Sequence, residues 1–148
     1  MQKGIDYIAV SVVYLCHDGK GNFVMAKRSK NARDEHGRWD IGGGALEFGE
    51  KVEDGLRKEI KEEYTADIIN YEFLGFRDVH RVNNEGKKTH WIALDFKVLA
   101  DRNMVKIGEP HKFDEIKWFT METLPENMHS QLGIFFEKYK EEIKKLRN

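Results

Sequence analysis

The sequence predicts an α/β (α+β) layer protein, on three observations. Apolar, β-branched runs joined by short polar turns come in pairs, Ile8–Cys16 with Phe23–Lys27 and Ile68–Val82 with Thr89–Val98. Two other stretches, one ending at Tyr64 and one near the C terminus, space their apolar residues at three- and four-residue steps, as amphipathic helices do. A glycine run, Gly42-Gly43-Gly44, stands between the first strands and the first helix. Strands and helices interleaved in this order pack as layers, one helix carrying the glycine-side chemistry and the terminal helix covering the other sheet face.

Taken in order, Ile8–Cys16 reads as a buried strand, His17–Asn22 as a turn and Phe23–Lys27 as the returning strand of a hairpin. Arg28–Arg38 is a polar loop in which Arg28, Lys30, Arg33 and Arg38 face Asp34 and Glu35 in composition. Trp39-Asp40-Ile41 is a short extended entry to the glycines. Glu50–Tyr64 is the first helix. Asn83-Asn84-Glu85-Gly86 turns the second hairpin, where His80, His90, Phe76 and Trp91 read as pleat residues, the histidine spacing matching no metal motif. Gly108-Glu109-Pro110 opens a loop that leads through Asp114 and Glu115 to a strand at Ile116–Thr120. Leu132, Phe135, Phe136, Tyr139, Ile143 and Leu146 predict one amphipathic C-terminal helix devoted to packing.

At 148 residues, with two prolines and no repeat, the chain is expected to form a single domain, 1–148. A net charge of -1 creates no basic field for a nucleic acid polymer. The one cysteine, Cys16, lies in an apolar run and offers neither a disulfide nor a thiolate metal site. With no signal-peptide pattern, and with Ile8–Cys16 far short of the roughly 20 apolar residues that span a bilayer, the expectation is a cytoplasmic protein without membrane contact. A homodimer is left open.

The chemistry concentrates at the first helix. With Val52 at zero on a wheel of about 100° per residue, Leu56, Ile60 and Tyr64 extend the apolar stripe to about 120°, while Glu59 falls near -20°, Glu63 near +20° and Glu62 near -80°. A solvated acidic face would lie opposite the stripe; these carboxylates lie beside it and point toward the body of the protein. Three acids at i, i+3 and i+4 repel one another and call for positive charge. A hard divalent cation with oxygen ligands supplies it. The preceding glycines let backbone approach an ion or phosphate closely, and the absence of G-x4-G-K-[ST] excludes a P-loop.

From Gly44 to Ala66 the sequence resembles the Nudix box, G-x5-E-x7-R-E-U-x-E-E-x-G-U with U apolar. Gly44, Glu50, Glu59, Ile60, Glu62 and Glu63 fall on their places. Lys58 replaces the Arg, Thr65 the Gly, and Ala66 is small for the last apolar position. The resemblance implies an α/β/α sandwich around a mixed β-sheet, and a hydrolase that uses Mg2+, or Mn2+ in its place, to cleave a phosphoanhydride in a nucleotide. Glu59, Glu62, Glu63 and a carbonyl near Gly43 would hold metal, and Gly44 and Glu50 would meet substrate; independently of the resemblance, Arg28, at the strand end, is the basic loop's candidate for a phosphate or ribose contact.

Glu59 and Glu62 are expected to take part in catalysis, with Lys58 supporting them by pairing with Glu62 one turn on. Some family members take a general base from the loop before a late strand, where Glu115 ranks first, ahead of Asp114 and Glu109. The wording Leu46-Glu47-Phe48-Gly49-Glu50 looks like that of members acting on nucleoside triphosphates, giving monophosphate and pyrophosphate. An ADP-ribose or nucleotide-sugar pyrophosphatase is the alternative, although neither the Pro nor the Tyr that marks such relatives occurs at His80–Asn83. A non-catalytic nucleotide-binding regulator, motivated by Lys58 and Thr65, is the alternative of another class. The isopentenyl diphosphate isomerase branch needs a catalytic cysteine, which Cys16 is poorly placed to be.

Overall fold

The computed structural model describes residues 1–146. Seven strands form one sheet: β1 (Ala9–His17), β2 (Phe23–Arg28), β3 (Trp39–Asp40), β4 (Gly42–Ala45), β5 (Asn70–Val82), β6 (Lys88–Leu99) and β7 (Phe113–Phe119). The helices are α1 (Val52–Tyr64), α2 (Leu132–Lys138) and α3 (Lys140–Ile143), with a single 3-10 turn at Arg102–Met104. The main path runs β3-β2-β1-β6-β5, with β4 on β1 and β7 on β2. β1 and β6 pair in parallel and the other pairs are antiparallel, so the sheet is mixed.

β1 and β2 are apolar almost throughout because both of their faces are covered. Val12, Tyr14, Cys16, Val24 and Ala26 pack with Leu56, Ile60 and Tyr64 of α1, while Leu15, Phe23 and Met25 pack with Leu132, Phe135, Phe136 and Tyr139 on the other side. Two cores back to back across one sheet make the α/β/α sandwich. Leu56, Ile60 and Tyr64 are at most 1% exposed, and side chains buried to this degree contribute about 1.5–3 kcal/mol each. No helix among the described residues is long and apolar enough to cross a membrane.

Four local expectations change. The first hairpin pairs only next to its turn, Cys16 with Val24 and His17 with Phe23; the rest of β1 takes β4 on that edge and β6 on the other. Gly42–Ala45 is a strand rather than a loop, in register with Ser11–Tyr14. The terminal helix breaks at Tyr139, where the hydroxyl donates to buried Asp95 at 2.6 Å and the ring packs edge-on against Phe135. Asp114 and Glu115 lie within β7, which begins at Phe113 and pairs with β2.

Candidate active site

α1 begins after Gly49, whose φ of 82° suits a residue without a side chain. It ends at Thr65, in the left-handed region at φ 57°. A non-glycine residue there costs about 1–2 kcal/mol, and Thr65 offsets part of this by donating its hydroxyl to the Met104 carbonyl at 2.9 Å. Two carbonyls of the last turn are satisfied by the following loop: Lys106 N–H donates to Tyr64 O at 3.0 Å and Gly108 N–H to Glu63 O at 2.8 Å. A Cβ at Gly108 would overlap the Glu62 carbonyl, so this docking needs glycine.

The glycine strand lies against the acidic side of α1. A Cβ at Gly42 would overlap the Tyr14 ring, and one at Gly44 would overlap the whole carboxyl group of Glu59. The missing side chains therefore make room for the protein's own Tyr14 and Glu59. Gly43 N–H donates to Glu63 Oε1 at 3.0 Å, and the Tyr14 hydroxyl donates to the same oxygen at 2.7 Å. Since N–H and C=O of one residue leave an extended strand on the same edge, the Gly43 carbonyl emerges toward the carboxylates as well.

These surroundings divide the helix acids. Glu63 is only 6% exposed, and burial pushes its carboxyl up to about 8 despite the two donors. Glu59 is half-buried and is pushed up to about 7 by burial and then by Glu62. Glu62 is exposed. The expected convergence of three carboxylates is thus only partial: Glu63 turns inward, Glu62 outward, and Glu59 rests on Gly44. Among the described residues, the groups of three acidic or imidazole side chains with ligand atoms within 4.8 Å of one another lie elsewhere and include none of these glutamates. Mg2+ typically takes one or two carboxylates, waters and substrate phosphates. Hard oxygen donors with two half- or fully dehydrated carboxyls suit such an ion.

Lys58 departs from its expected partner. Its ammonium pairs with Glu50 at 3.0 Å, not with Glu62. Glu50 also accepts the Glu47 N–H at 3.1 Å, and that bond, with Lys58, holds its carboxyl below the usual range. Gly55 leaves the space: a Cβ there would stand 3.0 Å from Glu50 Oε1. Arg28 spends its guanidinium on the loop that follows it, bonding the Asp34 carbonyl and carboxylate at 2.9 Å each and approaching Asp40 at 3.7 Å. It orders the Arg28–Arg38 loop.

Glu115 pairs in register with Lys27 in β7 and is exposed. The acid whose charge bears on the helix carboxylates is Glu109, which raises both Glu59 and Glu63. It rides on the loop that Gly108 docks onto α1, with Lys112 Nζ 3.5 Å away. β7 starts three residues earlier than Ile116, so Glu115 is held within the sheet while Glu109 stays on the docked loop.

A model of the NUDIX domain matches residues 7–139. The chain is a Nudix hydrolase. The nucleoside triphosphatase NudI of Enterobacter sp. (strain 638) is 32% identical to it over 110 residues, which are 70% of this chain and 77% of that one. The crystal structure of a MutT NUDIX hydrolase from Burkholderia pseudomallei superposes with a TM-score of 0.74 at 23% identity, covering 89% of this chain and 98% of that one. The NUDIX domain of Shewanella oneidensis NrtR, solved with ADP ribose, superposes with a TM-score of 0.71 at 15% identity over 93% and 89%.

Within this Nudix hydrolase, Tyr14 is the site residue that the sequence reading passed over. A tyrosine in the middle of a strand buried on both faces must find a partner for its hydroxyl, and the inward-pointing Glu63 is the group available. Lys112 was obscured, and Glu109 ranked behind Glu115, because only the docked loop brings them to bear on the helix.

Proposed function

We propose that this Nudix hydrolase cleaves a phosphoanhydride of a nucleoside triphosphate with Mg2+, or Mn2+ in its place, releasing monophosphate and pyrophosphate, as one cytoplasmic catalytic domain spanning residues 1–148. The observation that carries the reading is the Glu59 carboxyl, half-buried directly on the Gly44 backbone beside buried Glu63. Its resemblance in sequence to a nucleoside triphosphatase supports the choice of substrate.

Glu59 and Glu62, with the Gly43 carbonyl, would hold the ion, and Glu63 would complete their charge from within while fixing Gly43 through its amide. Mg2+ supplies neutralisation of the diphosphate oxygens and polarisation of water. Lys58 and Glu50 pin the turn that enters α1. Glu109 is placed to take the proton of the attacking water, because a carboxylate that is not itself a ligand is the better acceptor.

A panel of nucleoside triphosphates, diphosphates, nucleotide sugars and ADP-ribose, assayed with Mg2+ for phosphate and pyrophosphate release, tests this. Pyrophosphate and monophosphate from triphosphates, abolished by chelation and reduced about a thousandfold in Glu59→Gln, is the expected result. Turnover of ADP-ribose alone would move the substrate class, and no turnover of any compound would favour a binding protein.

A further inference from the structure

The β5–β6 hairpin carries a group of side chains that the nucleotide site does not use. Asp78 and His80 are two residues apart on β5 and so share a face, and the ladder register sets His90 of β6 directly opposite His80. The backbone N–H of His90 donates to the Gly4 carbonyl at 2.8 Å, away from β5. His80 and His90 are therefore a non-hydrogen-bonded pair, the closer kind in an antiparallel ladder. Their rings stand 4.2 Å apart, tilted by 33°, and His90 Nε2 lies 3.0 Å from Asp78 Oδ1. One ligand atom from each of the three falls within 4.8 Å of the others. In sequence the histidines match no metal motif; the register, rather than the spacing, brings them together.

We propose that Asp78, His80 and His90 form a second cation site, for a borderline divalent transition ion such as Zn2+. Two imidazoles and one carboxylate are the donor set that such ions take, and hard Mg2+ does not favour it. Two imidazoles bound to one ion at about 2.0–2.1 Å hold their ring centres roughly 4.5–5 Å apart, so the present pair needs to open by less than an ångström and turn its ring nitrogens toward a common point. The ion takes the place of the proton shared between His90 and Asp78. With three protein ligands, a fourth position stays open to water. A cleft of about 230 Å³ beside the histidines, bordered by Gly4, Tyr7, Ile8 and Lys88, provides the approach.

The other such cluster, Asp34, Glu35 and His129, lacks this capacity. Arg81 already lies 3.5 Å from Asp34 and 2.5 Å from Glu35, and Ser130 donates its amide and hydroxyl to Glu35, so charge and lone pairs are spent within the protein. Asp78 makes its one ion-pair contact, among the described residues, with His90.

The test is calorimetric titration of the full chain with Zn2+ in excess Mg2+, which keeps the helix carboxylates occupied, together with imidazole NMR signals of all histidines. One Zn2+ per chain is expected, with affinity lowered at least tenfold in His80→Ala and in His90→Ala and several-fold in Asp78→Asn. The His80 and His90 signals should move first. All three side chains are at the surface, and unchanged thermal unfolding of the variants without Zn2+ checks their folding. Equal Zn2+ affinity in His80→Ala and His90→Ala, first movement of His129, or no Zn2+ binding overturns the proposal.

Discussion

The Tyr14 hydroxyl donates a 2.7 Å hydrogen bond to Oε1 of Glu63, joining the centre of β1 to the last turn of α1 inside the core. Besides this bond, Glu63 Oε1 has the Gly43 amide, so the tyrosine supports an ionised carboxyl that burial opposes. Tyr14→Phe keeps the ring and its edge-on contact with Tyr64. It should push the Glu63 carboxyl further above about 8, weaken Mg2+ affinity and lower kcat at neutral pH by about tenfold, and destabilise the fold by about 1–2 kcal/mol. Mg2+ titration of activity and denaturant unfolding measure these effects. If both matched wild type, Tyr14 would be a packing residue alone.

Gly44→Ala should separate position from composition at the proposed metal site. The added methyl would occupy the volume of the Glu59 carboxyl, which must swing off β4 while every acidic residue is retained. A displacement of about 1 Å in a positioned group can cost on the order of a hundredfold. Activity should fall by at least that much, with the Mg2+ requirement shifted to higher concentration. Gly86→Ala serves as the control, since its Cβ would meet nothing within 4 Å and its left-handed φ of 78° confines the cost to stability. A fully active Gly44→Ala would mean that Glu59 functions away from the strand.

Much of the fold was legible because burial leaves a periodic trace. The stripe Leu56, Ile60, Tyr64 fixed the facing of α1, and with it the inward aim of Glu59 and Glu63 relative to Glu62. The second hairpin was readable from Asn83–Gly86 and the runs on either side. What escaped was set by pairings distant in sequence. Nothing local to Gly42-Gly43-Gly44 says that the strand will pair with Ser11–Tyr14 and yield its Cβ space to Tyr14 and Glu59. Lys58 was assigned the neighbour one helical turn away, whereas the entry turn folds back and presents Glu50. Asp114 and Glu115 read as a loop until β2 pairs with Phe113 and Glu115 on either side of a bulge. The run through Leu146 reads as one helix because apolar periodicity is unaffected by the break at Tyr139.

Stability without metal should depend on pH in a defined sense. Glu63 at about 8 and Glu59 at about 7 both lie above the ordinary 4.5 of a glutamate, so the native state retains protons that the unfolded chain has released. The stabilisation is complete below about pH 4.5 and is lost as pH rises through 7 to 8. Metal-free protein should therefore melt lower at pH 9 than at pH 6, by about 5–10 °C. Excess Mg2+, which favours the ionised carboxylates, should narrow the difference, and Glu63→Gln should remove about half of it, Glu59 and Asp40, both raised to about 7, supplying the rest. Thermal unfolding at the two pH values decides; a metal-free profile flat across this range would show that the two carboxyls are not dehydrated.

The general base is settled by comparing two loop acids whose environments differ. Glu109 is carried on the segment that Gly108 locks to the Glu63 carbonyl, and its charge reaches both Glu59 and Glu63. Glu115 stands opposite Lys27 in the β2–β7 ladder. Replacing a general base by its amide removes the proton acceptor and leaves its shape, a loss of about a hundredfold or more in kcat with little change in nucleotide or metal affinity. Glu109→Gln should show this loss. Glu115→Gln should stay within about twofold of wild type. A purely structural part for Glu109 would lower nucleotide and metal affinity together with kcat, and a collapse in Glu115→Gln instead would return the base to β7.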